Sequence, residues 1–244
     1  KEVSDVFEDA GIEVRFLPFE HIRRAIDQAN KDDREHPTMV DMLYASGPFR
    51  TPQKEGYEML ESAAPWATDL IEWCDVVFVE WWNAPAIWCS RYLLDDKALV
   101  VRCHSYEAFT TNPYFTNMQR IDGAIFIADH IREVFLNGFC EPGLALEKTK
   151  VIQNIRPLQH LSLSEKSEEA EFTLGLMQYS NWNKDPIFAL DILEHLIEVD
   201  SRWTLRLVGT PWNATLSDFE QAYRTEFLAK LEPLKQNVII DPFT

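Results

Sequence analysis

Ala98-Leu-Val-Val-Arg-Cys-His-Ser-Tyr-Glu107 is an apolar run that stops abruptly at a histidine followed by small and polar residues. Leu99, Val100 and Val101 suit a strand of a parallel sheet buried on both faces. In open α/β sheets, ligands collect in the crevice beyond the carboxyl ends of the strands. His104 therefore stands where a buried strand emerges into such a crevice, and Tyr106 and Glu107 follow it along the rim. The plainer reading of an isolated histidine here is a strand cap bonded to a neighbouring loop. The flanking sequence decides how isolated it is.

Towards the amino terminus, Asp75-Val-Val-Phe-Val-Glu80 reads as a short buried strand, with Trp81-Trp82-Asn83-Ala84-Pro85 directly after it and a helix from Ala86 to Leu94. Indole rings at a strand end can floor a sugar or base pocket by stacking, and they serve as core packing equally well; Trp82 is the candidate for the floor. Residues 53–73 read as helix broken at Pro65. The segment 20–53, charged around Asn30-Lys-Asp-Asp-Arg-Glu-His36, reads as a polar, partly helical insertion with a solvated face. Before it, Lys1 to Gly11 suggests a helix closing on glycine, and Ile12-Glu-Val-Arg-Phe-Leu-Pro-Phe19 a half-buried strand halted by Pro18.

Towards the carboxyl terminus, Phe109 to Phe115 reads as loop and helix start, Gly123-Ala-Ile-Phe-Ile-Ala128 as a buried strand, and Asp129 as the cap of a helix over 130–137. Lys150-Val-Ile-Gln153 is a further strand ending at Asn154. The polar run from Leu158 to Ala170 is a linker candidate. The pattern then resumes with a strand at Phe172–Met177, the turn Gln178-Tyr-Ser-Asn-Trp-Asn-Lys184, and a helix started by Asp185 as N-cap and Pro186 at its first position. Trp203–Gly209 is a strand, Ser217-Asp-Phe-Glu220 is a capping box opening a helix, and Asn237–Ile240 begins another strand. Strands alternating with helices imply a doubly wound α/β fold with parallel sheets.

The chain has 244 residues, 46% of them hydrophobic, which allows one large domain or two smaller ones. Two are expected, over residues 1–165 and 166–244. Its 23 basic and 40 acidic residues give a net charge of −17, which opposes attraction to nucleic acid or anionic lipid. Cys74, Cys89, Cys103 and Cys140 are widely spaced, without metal-ligand spacing, and read as free thiols of a reducing cytoplasm. No apolar run is long enough to span a membrane. A cytoplasmic location is expected, with peripheral membrane attachment left open.

Lys184 lies beside a helix N-terminus, where backbone donors and the helix dipole favour an anion. It reads as a diphosphate contact or as a solvated surface lysine. No P-loop, Gly-x-Gly-x-x-Gly or Gly-x-Ser-x-Gly motif accompanies it.

The ordered series formed by the strand ending in His104, Ile121-Asp-Gly-Ala-Ile-Phe-Ile-Ala128, Lys150-Val-Ile-Gln-Asn154, Leu174-Gly-Leu176, Asn183-Lys-Asp-Pro186 and Leu205-Arg-Leu-Val-Gly209 resembles glycosyltransferase family 4 across most of residues 70–210. The resemblance implies a GT-B-like fold of two Rossmann-like domains, the second incomplete in this sequence. It implies transfer of a hexose from a nucleotide diphosphate sugar to a glycan, lipid-linked or small acceptor, with retention and with neither metal nor cofactor. His104 would lie near the transferred sugar and Lys184 at the diphosphate. Tyr179 and Asn154 would also be on the donor side, and Tyr106, Glu107 and Trp82 would line the cleft.

The sequence departs from the family at several of these positions. Tyr179 stands where the family has an arginine, Asn154-Ile-Arg-Pro157 replaces its Asn-Gly-Val/Ile-Asp, and Ala128 replaces a serine. Arg156 either compensates for the lost charge or forms an interdomain salt bridge. The resemblance also implies a glycine-rich strand and loop before Lys1 and a glutamate pair after Thr244. A non-catalytic GT-B-like binding module and a sugar-nucleotide epimerase of the same fold are the alternatives.

Overall fold

The computed structural model describes residues 2–31, 37–45, 50–139, 143–154, 166, 168–213 and 215–242. The chain divides into two compact units, Lys1–Pro157 and Leu158–Thr244. Each is a Rossmann-like α/β unit built on a parallel sheet. The charged stretch ending at His36, Cys140, Arg156 and the linker over 158–165 lie outside the described residues.

In the first unit, α1 (Glu2–Asp9), α2 (Phe19–Ala29), α3 (Met39–Tyr44), α4 (Gln53–Ala63) and α5 (Pro65–Trp73) precede the sheet. The sheet strands are β1 (Val76–Val79), β2 (Ala98–Cys103), β3 (Gly123–Phe126) and β4 (Thr149–Val151), paired in chain order. The connection from β1 to β2 runs through α6 (Ala84–Tyr92), that from β2 to β3 through the short α7 (Asn112–Phe115), and that from β3 to β4 through α8 (Asp129–Phe139).

The opening strand was expected to be buried on both faces, and the structure buries one completely. Leu99, Val101 and Cys103 are inaccessible, while Val100 and Arg102 on the alternate face are half-buried. His104 continues the side that carries Val100 and Arg102. This is why a histidine and an arginine can come together on one face of the sheet.

One expectation needs correction and one needs extending. No strand forms over residues 12–18. Among the described residues β1 pairs only with β2, so the alternating segment has no ladder to join. Phe16 stays 69% exposed, and Arg15 lies over the Trp73 ring, 4.0 Å from its centroid. Alternation alone does not make a strand without a partner edge.

The segment 20–53 is partly helical with an exposed charged face on α2, as expected, but it also contributes to the core. Ile22, Ile26, Met39, Met42 and Leu43 are buried in the main core. Its polar backbone ends are bound from α6: Arg91 Nη1 donates to the Met42 and Ala45 carbonyls at 3.0 Å each, and Arg91 Nε donates to Phe115 O at 2.8 Å. Tyr92 Oη donates to Met42 O at 2.9 Å. Thr38 and Asp41 form the capping box that starts α3.

The second unit contains β5 (Thr173–Met177), α9 (Pro186–Val199), β6 (Thr204–Gly209), α10 (Asp218–Leu234) and β7 (Val238–Pro242), with the strands again in chain order. Leu190, Leu193, Leu205, Leu207 and Phe227 form its core. The helix starts are those read from the sequence. The Asp185 side chain accepts from the Phe188 amide, and Ser217 and Glu220 complete the capping box. Among the described residues no helix is long and apolar enough to cross a membrane.

Candidate functional site

In parallel pairing Val79 faces Val101, so one step further Glu80 comes beside Arg102, at the carboxyl ends of β1 and β2. Glu80 Oε1 accepts from Arg102 Nη1 at 3.2 Å and lies 3.0 Å from His104 Nε2. Arg102 Nη2 donates to Asn154 Oδ1 at 2.7 Å, which draws in the residue that follows β4. Three strand ends thus meet in one chain of contacts, His104 to Glu80 to Arg102 to Asn154. The Glu80–Arg102 ion pair, whose arginine side chain is only 12% exposed, is screened less than a surface pair.

Trp81 lies flat on the imidazole, with ring centroids 4.1 Å apart and planes at 18°. Tyr106 leans against the same indole at 6.3 Å. Trp82, expected to floor the cleft, is fully buried instead: Nε1 donates to Thr116 Oγ1 at 3.0 Å, and the ring packs on Phe126 and Phe135. Of the two adjacent tryptophans, the second turns into the core and the first out to His104.

Glu107 is fully buried. Burial pushes its carboxyl above the usual carboxylate range, opposed by the backbone at Glu107 and the nearby imidazole of His104. Glu107 therefore lies beneath the surface of the site rather than lining it. Cys103, just before His104, is also buried, and its thiol is pushed well up by desolvation. Cys74, Cys89 and Cys103 are free thiols.

In the second unit, Lys184 follows β5 at the end of a short 3-10 turn, exposed and with its ammonium unpaired among the described residues. The α9 N-terminus beside it is partly occupied by the chain itself. Asp185, in the left-handed region at φ +48, caps Phe188 N at 3.3 Å and accepts from Tyr223 Oη at 3.0 Å. Burial, with Asp185 adding to it, raises the Tyr223 hydroxyl to about 12. The free positive charge here is that of Lys184 rather than that of the helix end.

Tyr179 is 5% exposed and packs in the unit's core, its ring 6.3 Å from Phe227. Trp182, just before Lys184, stays exposed and meets the Phe219 ring edge-on at 5.6 Å.

Sequence reasoning missed Glu80, Trp81, Arg102 and Trp182 as site residues. For Glu80 and Arg102 the available signal was a pair of opposite charges at the ends of two adjacent buried strands, where both side chains share one face of the sheet.

No protein-family model matches the sequence, and no curated protein matches it. Among solved structures, the chain is similar to S. aureus TarM, as a point mutant in complex with fondaparinux, alpha-GlcNAc-glycerol and UDP, at 14% identity and a TM-score of 0.41 over 62% of this chain. A second TarM crystal structure is similar at 14% identity and a TM-score of 0.38, also over 62% of this chain. The chain spans 34% and 33% of the length of those two proteins, about a third.

Proposed function

We propose that the protein is a glycosyltransferase that moves a hexose from a nucleotide diphosphate sugar to a glycan, lipid-linked or small acceptor. The transfer proceeds with retention and needs no metal. The first unit is the acceptor side, with His104 near the transferred sugar, and the second is the donor side. What carries this reading is the position of the motif residues. His104 and Gly209 fall at or just beyond the carboxyl ends of parallel strands, and Asn154 and Lys184 lie in the segments that follow β4 and β5, on the side where α/β sheets bind their ligands.

The chemistry follows from charge. A departing nucleoside diphosphate gathers negative charge as the sugar bond breaks, and a fixed cation at that oxygen lowers the barrier. Lys184, unpaired among the described residues beside the Asp185-capped α9 N-terminus, supplies that cation. On the other side, Glu80 holds the imidazole of His104 by Nε2, leaving the ring fixed in orientation as it meets the sugar.

The test is release of nucleoside diphosphate from a panel of nucleotide sugars, with and without acceptor. Lys184→Ala should lower kcat/KM for the donor by about a hundredfold. Unchanged donor kinetics would overturn the assignment. The burial of Tyr179, where the resemblance puts an arginine, supports a second reading: a binding module without a donor site. In that case calorimetry gives no heat with any nucleotide or nucleotide sugar.

A further inference from the structure

Trp81 and Tyr106 are 44% and 53% exposed at the ends of β1 and β2, beside a tryptophan, Trp82, that the fold buries completely. A large aromatic side chain left in water is informative when it is also held still. Trp81 is held: one indole face rests on His104, His104 is bonded to Glu80, and Glu80 is bonded to Arg102, which in turn binds Asn154. Its exposure therefore belongs to the side turned away from the imidazole. The hydroxyl of Tyr106 and the amide nitrogen of Asn154 have no partner among the described residues.

A rigid aromatic face with a hydroxyl-bearing ring, Tyr106, beside it matches the two-sided chemistry of a pyranose. The polarised axial C–H bonds of the sugar pack on the electron-rich ring face, and its hydroxyls take the hydrogen bonds. A nucleotide is disfavoured by the same site. Both terminal nitrogens of its arginine, Arg102, are already engaged, and Glu80 adds negative charge in a chain of net charge −17. The same charges disfavour sulfated or phosphorylated glycans.

We propose that Trp81 and Tyr106 form a stacking subsite for a neutral oligosaccharide. This deepens the proposed transfer reaction, and rests on it, in making that oligosaccharide the acceptor; the binding itself can be measured without any donor.

The experiment is titration of the full chain with maltohexaose, cellohexaose, chitohexaose and mannohexaose, followed by calorimetry and tryptophan fluorescence, with UDP and a sulfated oligosaccharide as comparisons. At least one neutral hexasaccharide should bind. Trp81→Ala should weaken it about tenfold and Trp81→Phe, which keeps a smaller ring, about threefold. Trp66→Ala, on the exposed side of α5, should change nothing.

The proposal is overturned if no neutral hexasaccharide binds, if Trp81→Ala binds like the wild type, or if Trp81→Ala instead loses UDP or the sulfated sugar. Failure of the transferase reading looks different. Binding of a hexasaccharide through Trp81, with no nucleotide sugar bound or turned over, supports the subsite and removes the donor chemistry.

Discussion

Glu80 Oε1 lies 3.0 Å from His104 Nε2 and 3.2 Å from Arg102 Nη1, so a single carboxylate oxygen ties together the ends of two adjacent strands. The other oxygen, Oε2, is buried and unpartnered among the described residues. Removing the carboxylate leaves Arg102 and His104 without it in a partly desolvated place. Glu80→Ala should destabilise the first unit by about 1–3 kcal/mol, read as a lower urea midpoint. Arg102→Ala should cost a similar amount, and the double variant less than the sum, because the second change removes a charge already stranded by the first. Strict additivity would show that the contact contributes nothing. Glu80→Ala should also shift the fluorescence of Trp81, whose ring rests on the imidazole Glu80 holds.

Glu107 gives the first unit a pH dependence of definite sign. Burial raises its carboxyl, and Glu80 adds to the shift, while the backbone and His104 oppose it. The folded state thus keeps a proton that the unfolded chain gives up first. The stability from protonated Glu107 is complete below the unfolded carboxylate value, about pH 4.3, and is lost as pH rises through the raised folded value. Glu107→Gln, neutral at every pH and of the same shape, should melt close to the wild type near that lower pH and above it at neutral pH. A constant difference in Tm across the range would contradict the assignment.

Most of the architecture was legible because period and punctuation agree. Asp185-Pro186 and Ser217–Glu220 announce helix starts that the structure keeps, and the apolar strands after Trp73 lie where their runs predict. What the sequence does not carry is partnership. Ile12–Leu17 has the alternation of a strand but no adjacent edge, and residues 20–53 look polar because their buried residues are spaced on short helices among charges. In the candidate site, the same limit separates Trp81 from Trp82. Adjacent residues leaving a strand point in different directions, and only the packing of Phe126 and Phe135 on one ring decides which indole enters the core.

Arg91 is the polar anchor of the helical layer. Its guanidinium donates to three carbonyls, those of Met42, Ala45 and Phe115, the first of them in a buried contact and the other two part-buried. Arg91→Ala should destabilise by about 2–3 kcal/mol, since the part-buried Ala45 and Phe115 carbonyls lose the guanidinium together and Met42 O keeps only the Tyr92 hydroxyl. Arg91→Lys should recover only part of this, because one ammonium cannot reproduce the planar fork. Chemical denaturation of the three proteins checks the order. Equal loss in the lysine and alanine variants would also be compatible with the fork being essential, whereas full recovery in lysine would refute it.

In the same layer, Gly56 of α4 leaves room for an aromatic ring. A Cβ at this position would come within 2.2 Å of Tyr92 Cδ1, and Tyr92 is fully buried and tied by its hydroxyl to Met42 O. Helix propensity alone favours alanine over glycine by about 1 kcal/mol, so Gly56→Ala sets propensity against packing. Overpacking should prevail, with a net loss of about 1–3 kcal/mol in equilibrium unfolding. Stabilisation by the alanine would mean that the ring can step aside.

The strand ends of the second unit hold a backbone arrangement that two opposite substitutions can probe. Gln178 follows β5 at φ +59, and Gly209 ends β6 at φ +153. They touch so closely that a Cβ on Gly209 would lie 3.0 Å from Gln178 Cα. The amide of Gln178 donates to Val208 O at 2.6 Å, which fixes the turn that leads to Lys184. A side chain in the left-handed region costs about 1 kcal/mol that glycine does not incur. Gln178→Gly should therefore stabilise the unit by up to that amount, less the greater freedom of glycine in the unfolded chain. Gly209→Ala faces both an unfavourable φ and contact with backbone that cannot swing away, and should cost about 2 kcal/mol or more. If Gly209→Ala is as stable as the wild type in thermal unfolding, the close approach of these two strand ends is wrong, and with it the path of the chain into Lys184.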